Sequence, residues 1–369
     1  MWAQALYLAE RGHAVTMVAG GFPGALRKEV INNIQVVRLR GQLLSLWWRT
    51  FFYYMARCRG KYDVVVVEGF GGSRIPRWTP VYVREPIVTE WHQIHRDLFA
   101  AQYPKLLRPA LNLVERMTAL VHRNTILRAH TQEWKDAFPS LGFRPDQIFV
   151  VPPSVGEDWL VAGRPGKVTE PRIIWLGKFR RYKCPDHVVR AMQKVVHSVP
   201  KARLILAGRH DDRNYEDGLQ RLVDKLDLRN NIEFAFDISE EEKRALLHGS
   251  RVMALPSSVE GFGIVVLEAN ACGVPVIAST GVPEGAVREG QNGLRYPFGD
   301  VEKLGEYLVS LCLDDPLYKR LSSSSLEFAS GFAWLAVGSQ YEQILQLAVA
   351  ERALQRTRFP ASSNSNRLA

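Results

Sequence analysis

Two glutamates, Glu260 and Glu268, stand eight residues apart in the segment PSSVEGFGIVVLEA, residues 256–269. The first follows an apolar run and is flanked by Gly261 and Gly263; the second falls about one turn inside the apolar helix expected next. Glycines let backbone N–H groups approach a diphosphate or a sugar hydroxyl, and a helix N-terminus adds a favourable dipole. A carboxylate in the loop can accept hydrogen bonds from sugar hydroxyls, and one inside the helix can reach a ribose diol. The layout suits a sugar nucleotide. It also fits a helix whose first turn is glycine-rich, with Glu268 solvated.

The segment GKFRRYKC, residues 177–184, places Lys178, Arg180, Arg181 and Lys183 after the apolar run of residues 173–176. Ligands of α/β sheets bind beyond the strand C-termini. Four cations there can neutralise a diphosphate leaving group, whose developing charge is what catalysis must stabilise. Taken alone, a solvated basic turn accounts for them as well.

Together these segments make the chain similar to the retaining GT-B glycosyltransferases of family 4, the group 1 transferases. Glu260-Gly261-Phe262-Gly263 with Glu268 reproduces the Glu-x7-Glu motif of that family. Residues 273–278, Pro283-Glu284 and Asn292-Gly293-Leu294 match the strand, loop and turn that follow. The resemblance implies that Glu260 contacts the donor sugar, that Glu268 binds ribose, and that Lys178 and Lys183 bind the diphosphate. Gly261, Phe262, Gly263 and Ile264 then line the donor site, with His92, Glu260 and Lys183 as the catalytic set. His92 closes the segment Glu90-Trp91-His92, which resembles the family strand ending in a histidine at the reaction centre; His95 is a weaker candidate, and both read equally as packing residues. Three departures stand out: Lys178 replaces an arginine and loses its bidentate fork, Cys184 occupies a glycine position, and Phe236 stands where a glycine near the base pocket is common.

The elements that must position these residues form two successive β/α arrays. Strands are expected at residues 13–18, 34–39, 63–67, 86–92 and 147–151, then at 173–177, 203–208, 232–234, 252–255 and 275–278. Helices are expected at residues 4–11, 43–59, 109–122, 185–199, 218–226, 240–248 and 264–271, and from 301 and 333 onward. The fold class is α/β, with two Rossmann-like doubly wound domains. The expected division is an acceptor-side domain over 1–160, a linker over 161–170, a donor domain over 171–330, a helix over 331–356 packing back on the first domain, and a disordered tail over 357–369. The residue-4 helix comes where the family first has a strand and a glycine-rich turn. The first domain is therefore expected to lack its central strand, leaving the runs at 15–18 and 64–67, both read as doubly buried, without a partner and the domain loose.

Composition narrows the function. The 369 residues carry 48 Lys and Arg against 38 Asp and Glu, a net charge of +10. Residues 1–170 hold 22 basic and 14 acidic side chains, and the remainder 26 and 24. A basic first half suits a phosphorylated or lipid-linked acceptor or an anionic membrane, and no nucleic-acid module accompanies it. Residues 43–55, dense in aromatics and close to Arg49, Arg57, Arg59 and Lys61, fit either a membrane interface or a helix packed on the sheet. The four cysteines are dispersed and read as reduced thiols. No membrane span, signal peptide or acidic metal cluster is recognisable, so the expectation is a cytoplasmic protein without a bound cofactor, acting without a divalent ion at the inner face of the membrane. A nucleotide-sugar epimerase and a non-catalytic nucleotide-sugar-binding homologue are the alternatives.

Overall fold

A computed structural model describes residues 2–41, 43–70, 78–161 and 171–358. The expected linker, save residue 161, and the tail from 359 lie outside the described residues.

The first half builds two sheets. Strands β1 (Val15–Gly20), β2 (Lys28–Ile31) and β3 (Ile34–Leu39) form one, in the order β1-β3-β2. Asn32 and Asn33 both have left-handed backbone (φ 49° and 62°), the geometry of a tight two-residue hairpin, and so turn β2 antiparallel onto β3. Strands β4 (Val65–Glu68), β5 (Ile87–Glu90), β6 (Ile126–Ala129) and β7 (Ile148–Val150) form a parallel sheet in sequence order. Among the described residues β1 pairs only with β3 and β4 only with β5. All four residues of β5 and of β6 are buried, whereas none of β1 or β4 is. The doubly buried reading of 15–18 and 64–67 is corrected accordingly: apolar sequence alone does not bury a strand that has neighbours on one side only.

The helix Trp334–Arg358 covers one face of the β4–β7 sheet, placing Val337, Tyr341, Ile344 and Leu345 against Val88, Ile126 and Val151. Each such side chain contributes about 1.5–3 kcal/mol when fully buried. The same helix meets the helix Trp2–Glu10 at Gly338, where a methyl would run into the Tyr7 ring. Glu342 binds Arg11 at 2.7 Å and His13 at 2.9 Å. Beneath the helix lies a buried ion pair, Arg128 to Glu90 at 2.7 Å. Arg128 also donates to the carbonyls of Val151 and Pro152, so its charge is fully used, as a buried guanidinium requires. The aromatic helix runs over Leu43–Tyr53 and continues as a wider turn over Tyr54–Cys58, shorter than the single helix expected to residue 59.

The second half is one parallel sheet of six strands: β8 (Arg172–Lys178), β9 (Arg203–Arg209), β10 (Ile232–Phe236), β11 (Val252–Leu255), β12 (Val276–Ser279) and β13 (Gly293–Tyr296). Their order is β10-β9-β8-β11-β12-β13. The near-continuous apolar runs of β8, β9 and β11 match their burial on both faces. The helix Pro185–Ser198 follows β8 onto one face, packing Val188 and Met192 with Ile173 and Trp175. The helix Ile264–Ala271 follows β11 onto the other, packing Val266 and Leu267 with Ile174 and Leu176.

The open edges give a first prediction. Amides of β4 should exchange with solvent roughly tenfold or more faster than those of β5, because among the described residues β4 has a ladder on one side only. Hydrogen exchange read by NMR or mass spectrometry checks this; equal protection of the two strands would show that the β4 edge is covered.

Candidate functional site

The order of strands reverses between β8 and β11, and the helices that follow them leave on opposite faces. A crevice opens beyond their C-terminal ends, the usual ligand position in such a sheet. The two segments singled out by sequence meet there. Lys183 ends the single turn Arg181–Lys183 after β8, and its Nζ lies 2.5 Å from Oε1 of Glu260 in the loop after β11. The Ser257 hydroxyl donates to the same oxygen at 2.7 Å, and Ser258 N donates to the Tyr182 carbonyl at 2.8 Å, stitching the loops together. Burial works against the Lys183 ammonium, but the Glu260 charge outweighs it and holds the lysine pKa above its ordinary value.

Glu268 projects from the helix Ile264–Ala271. Its Oε1 accepts from Lys243 Nζ at 2.8 Å, while its Oε2 is buried and has no hydrogen-bond partner. Burial pushes the Glu268 pKa up and Lys243 opposes the shift; Lys243, in turn, loses by burial and gains more from Glu268, so its own pKa rises. The pair is under-solvated, with one carboxylate oxygen left without a hydrogen-bond donor. Lys243 was not anticipated from sequence: it sits in the helix Glu240–His248 among acidic neighbours, and nothing in its surroundings along the chain marks it.

Gly263 has left-handed backbone (φ 88°) as it opens the Ile264–Ala271 helix, which only glycine adopts without strain. The Phe262 side chain is in the core against Phe332, so the expected donor contact there is restricted to its backbone. Ile264 is exposed. Of the four loop cations only Lys183 faces Glu260. Lys178 is exposed at the end of β8, Arg180 is bound by Asp211, and Arg181 lies 4.0 Å from Asp212, so the basic cluster does not converge on one point.

From the first half, His92 reaches this site two residues beyond β5. A methyl on Gly261 would stand 2.8 Å from the His92 carbonyl oxygen. The His92 ring is half-buried, with Nε2 3.4 Å from Glu68 and the ring centre 4.8 Å from that of His130. Burial, then Arg128 and His92, push the His130 pKa well down, so His130 is neutral beside His92 at neutral pH. Glu68 and His130, at the ends of β4 and β6, were not singled out by sequence; their signal is position at a strand end. His95 is different. It is buried against Phe70 and Phe99 and bound by Glu115 at 2.8 Å, a packing role.

Comparison with known proteins settles the family. Residues 163–327 match the family described as Glycosyl transferases group 1, and residues 1–159 match Glycosyltransferase Family 4. The second half belongs to the group 1 glycosyltransferases and the first to family 4. Among its relatives, a D-inositol 3-phosphate glycosyltransferase of Corynebacterium aurimucosum is 28% identical over 61% of this chain and 57% of its own length. A GDP-mannose-dependent monoacylated alpha-(1-6)-phosphatidylinositol monomannoside mannosyltransferase of Corynebacterium glutamicum is 33% identical over 48% of each. The chain thus spans about half the length of the curated relatives it matches. The fold is that of sucrose-phosphate synthase from Thermosynechococcus elongatus (TM-score 0.80, 21% identity, 94% of this chain and 92% of that one). It is also that of an Anabaena protein in complex with UDP-glucose (TM-score 0.69, 18% identity, 88% and 87%).

Two departures of this chain from the family pattern have visible consequences. Cys184 keeps the left-handed backbone (φ 47°) that a glycine would adopt freely, and burial pushes its thiol pKa up to about 12. Phe236 stacks on His210 with ring centres 4.0 Å apart and also meets Phe179, filling the corner beyond β9 and β10.

The orphan oxygen yields a prediction. Glu268→Ala should weaken binding of a nucleoside diphosphate by about 1.5–3 kcal/mol, the contribution of a hydrogen bond to a charged group. Calorimetric titration measures it, and unchanged affinity removes Glu268 from the site.

Proposed function

We propose that the chain transfers a glycosyl group, with retention of configuration, from a nucleoside diphosphate sugar held in the second half to an acceptor held by the first. The observation that carries this reading is the Lys183–Glu260 pair at the strand reversal, with the unpartnered Glu268 oxygen on the following helix. Glu268 Oε2 accepts from a ribose hydroxyl. Glu260 accepts from hydroxyls of the sugar. Lys183 and the first amides of the Ile264–Ala271 helix stabilise charge on the departing diphosphate, with Lys178 as a further, exposed cation. His92, held between Glu68 and His130, faces the transferring sugar from the other side. In this proposal the leaving group needs no divalent ion, because cationic side chains and backbone amides take its charge. Relatives that act on inositol phosphate and phosphatidylinositol mannoside support a phosphorylated or lipid-linked acceptor.

The proposed setting is the inner face of the cytoplasmic membrane. Among the described residues no helix is long and apolar enough to cross a membrane. The helix Arg108–His122 and the turn before it instead expose Leu106, Leu113, Met117 and Leu120, a stripe at helical spacing, beside Lys105, Arg116 and Arg123. The aromatic helix adds Trp48 and Phe52 with Arg49. Apolar side chains bordered by cations suit an anionic lipid surface. The protein should therefore cosediment with phosphatidylglycerol vesicles more than with phosphatidylcholine vesicles, less so at high salt. Leu113→Asp with Met117→Asp should lower that binding roughly tenfold or more. Equal binding of the double variant would overturn the assignment of this surface.

The activity is tested by presenting nucleoside diphosphate sugars with and without inositol phosphate or lipid acceptors. Release of nucleoside diphosphate with sugar transferred, and NMR of the new anomeric centre, support the reading; isomerised donor without acceptor points to an epimerase, and binding without turnover to a non-catalytic homologue. Lys183→Ala should lower turnover by about 10²–10³, the usual loss for one preorganised charge stabiliser, and Lys178→Ala by less. Equal, small effects in steady-state assays would show the loop to be a solvated turn.

A further inference from the structure

One short helix carries part of the contact between the two halves at the donor loops. Gln132–Ala137 follows β6 and is opened by Thr131, whose hydroxyl accepts from Trp134 N at 3.3 Å. Two neighbouring side chains of this helix reach across. Trp134 Nε1 donates to the Glu260 carbonyl at 3.3 Å. Glu133 Oε1 accepts from Gly285 N at 3.1 Å. The two loops they reach are themselves tied, since Glu260 N donates to the Gly281 carbonyl at 3.0 Å. A donor prong and an acceptor prong therefore grip one unit that carries the Glu260 carboxylate. The fit is close: a methyl on Gly285 would stand 3.2 Å from Thr131, and one on Gly261 would meet the His92 carbonyl. Burial works against the Glu133 charge, yet backbone amides, Gly285 among them, hold its pKa below the ordinary glutamate value.

We propose that Trp134 and Glu133 are positioning residues: when the halves close, they fix the peptide frame of the Glu260 loop, so that the acceptor half sets the donor half for turnover. The proposal rests on the glycosyl-transfer reading for its kinetic part and on geometry alone for its structural part. Neither side chain touches the Glu268–Lys243 end of the site, so nucleotide affinity and turnover should separate. A hydrogen bond that only positions another group acts on the step that needs the position, and losing one is expected to cost about tenfold in rate.

The test uses the full chain and three variants: Trp134→Phe, which keeps a ring but removes the donor; Glu133→Ala; and Glu133→Gln, which keeps an acceptor oxygen. Affinity for UDP and GDP is measured by calorimetry, kcat and KM by transfer or donor hydrolysis, and hydrogen exchange over residues 257–263 and 281–286. Trp134→Phe and Glu133→Ala are expected to leave nucleotide affinity within about twofold, lower kcat roughly five- to tenfold and speed exchange in both loops. Glu133→Gln is expected to recover most of the kcat. Unchanged kcat and unchanged exchange overturn the proposal, as does a loss of nucleotide affinity equal to the loss of kcat, which would mark a general structural role. Should Trp134→Phe fold poorly, the Glu133 pair decides, because that side chain lies at the protein surface. If the unaltered chain transfers no sugar, the function reading fails on its own, and loop exchange still judges the clamp.

Discussion

The reversal of strand order between β8 and β11 is the constraint on which the site depends. It sends one connecting helix to each face of the sheet and leaves the strand ends between them open. An opening of this kind exposes backbone polar groups that nothing in the sheet can satisfy. The chain meets that need with charge and with glycine. Lys183 and Glu260 close on each other across the gap, Ser257 completes the Glu260 oxygen, and Gly263 turns the backbone into a helix start. Burying this pair is tolerable because each partner is matched and the carboxylate has a further donor. The Glu268–Lys243 pair at the other end is less complete, since Glu268 Oε2 is buried without a hydrogen-bond partner.

Much of this was legible along the chain because the signals are local. The apolar runs of β8, β9 and β11, followed by glycine, cations or Glu260, mark strand and ligand loop in consecutive residues. The bounds of β3, residues 34–39, were read to the residue from its apolar and β-branched side chains. What escaped depends on contacts between distant segments. Strand β6 has four residues directly after a helix, too short to show a period. Lys243, Glu68 and His130 acquire their neighbours only by folding. The burial of β1 and β4 was overestimated because apolar composition reports what a strand can bury, whereas burial itself depends on what lies beside it.

The two halves use charge differently. In the second half the ionisable groups at the crevice are paired with one another, so their arrangement is set by the fold itself, the preorganisation that charge stabilisation requires. In the first half Glu90 and Arg128 are spent on structure, anchoring the stretch after β7, while Glu68, His92 and His130 stand at strand ends facing the other half. The expected convergence of four cations on the diphosphate gives way to a single, largely buried lysine, and one well-placed charge out of bulk water can do more than several solvated ones.

The placement of Trp334–Arg358 on the β4–β7 sheet has a consequence for biosynthesis. Translation delivers β4 to β7 early, but the apolar face of that sheet finds its cover only after the entire six-stranded sheet has emerged. The second half builds its sheet from local β/α connections, while the earlier half waits with Val88, Ile126 and Val151 uncovered. Long sequence separation slows such contacts and leaves apolar surface open to wrong partners in the interval. For this chain the order of synthesis and the order of completion are reversed, and the vulnerable species in the cell is a nascent chain whose N-terminal sheet is waiting for its last helix.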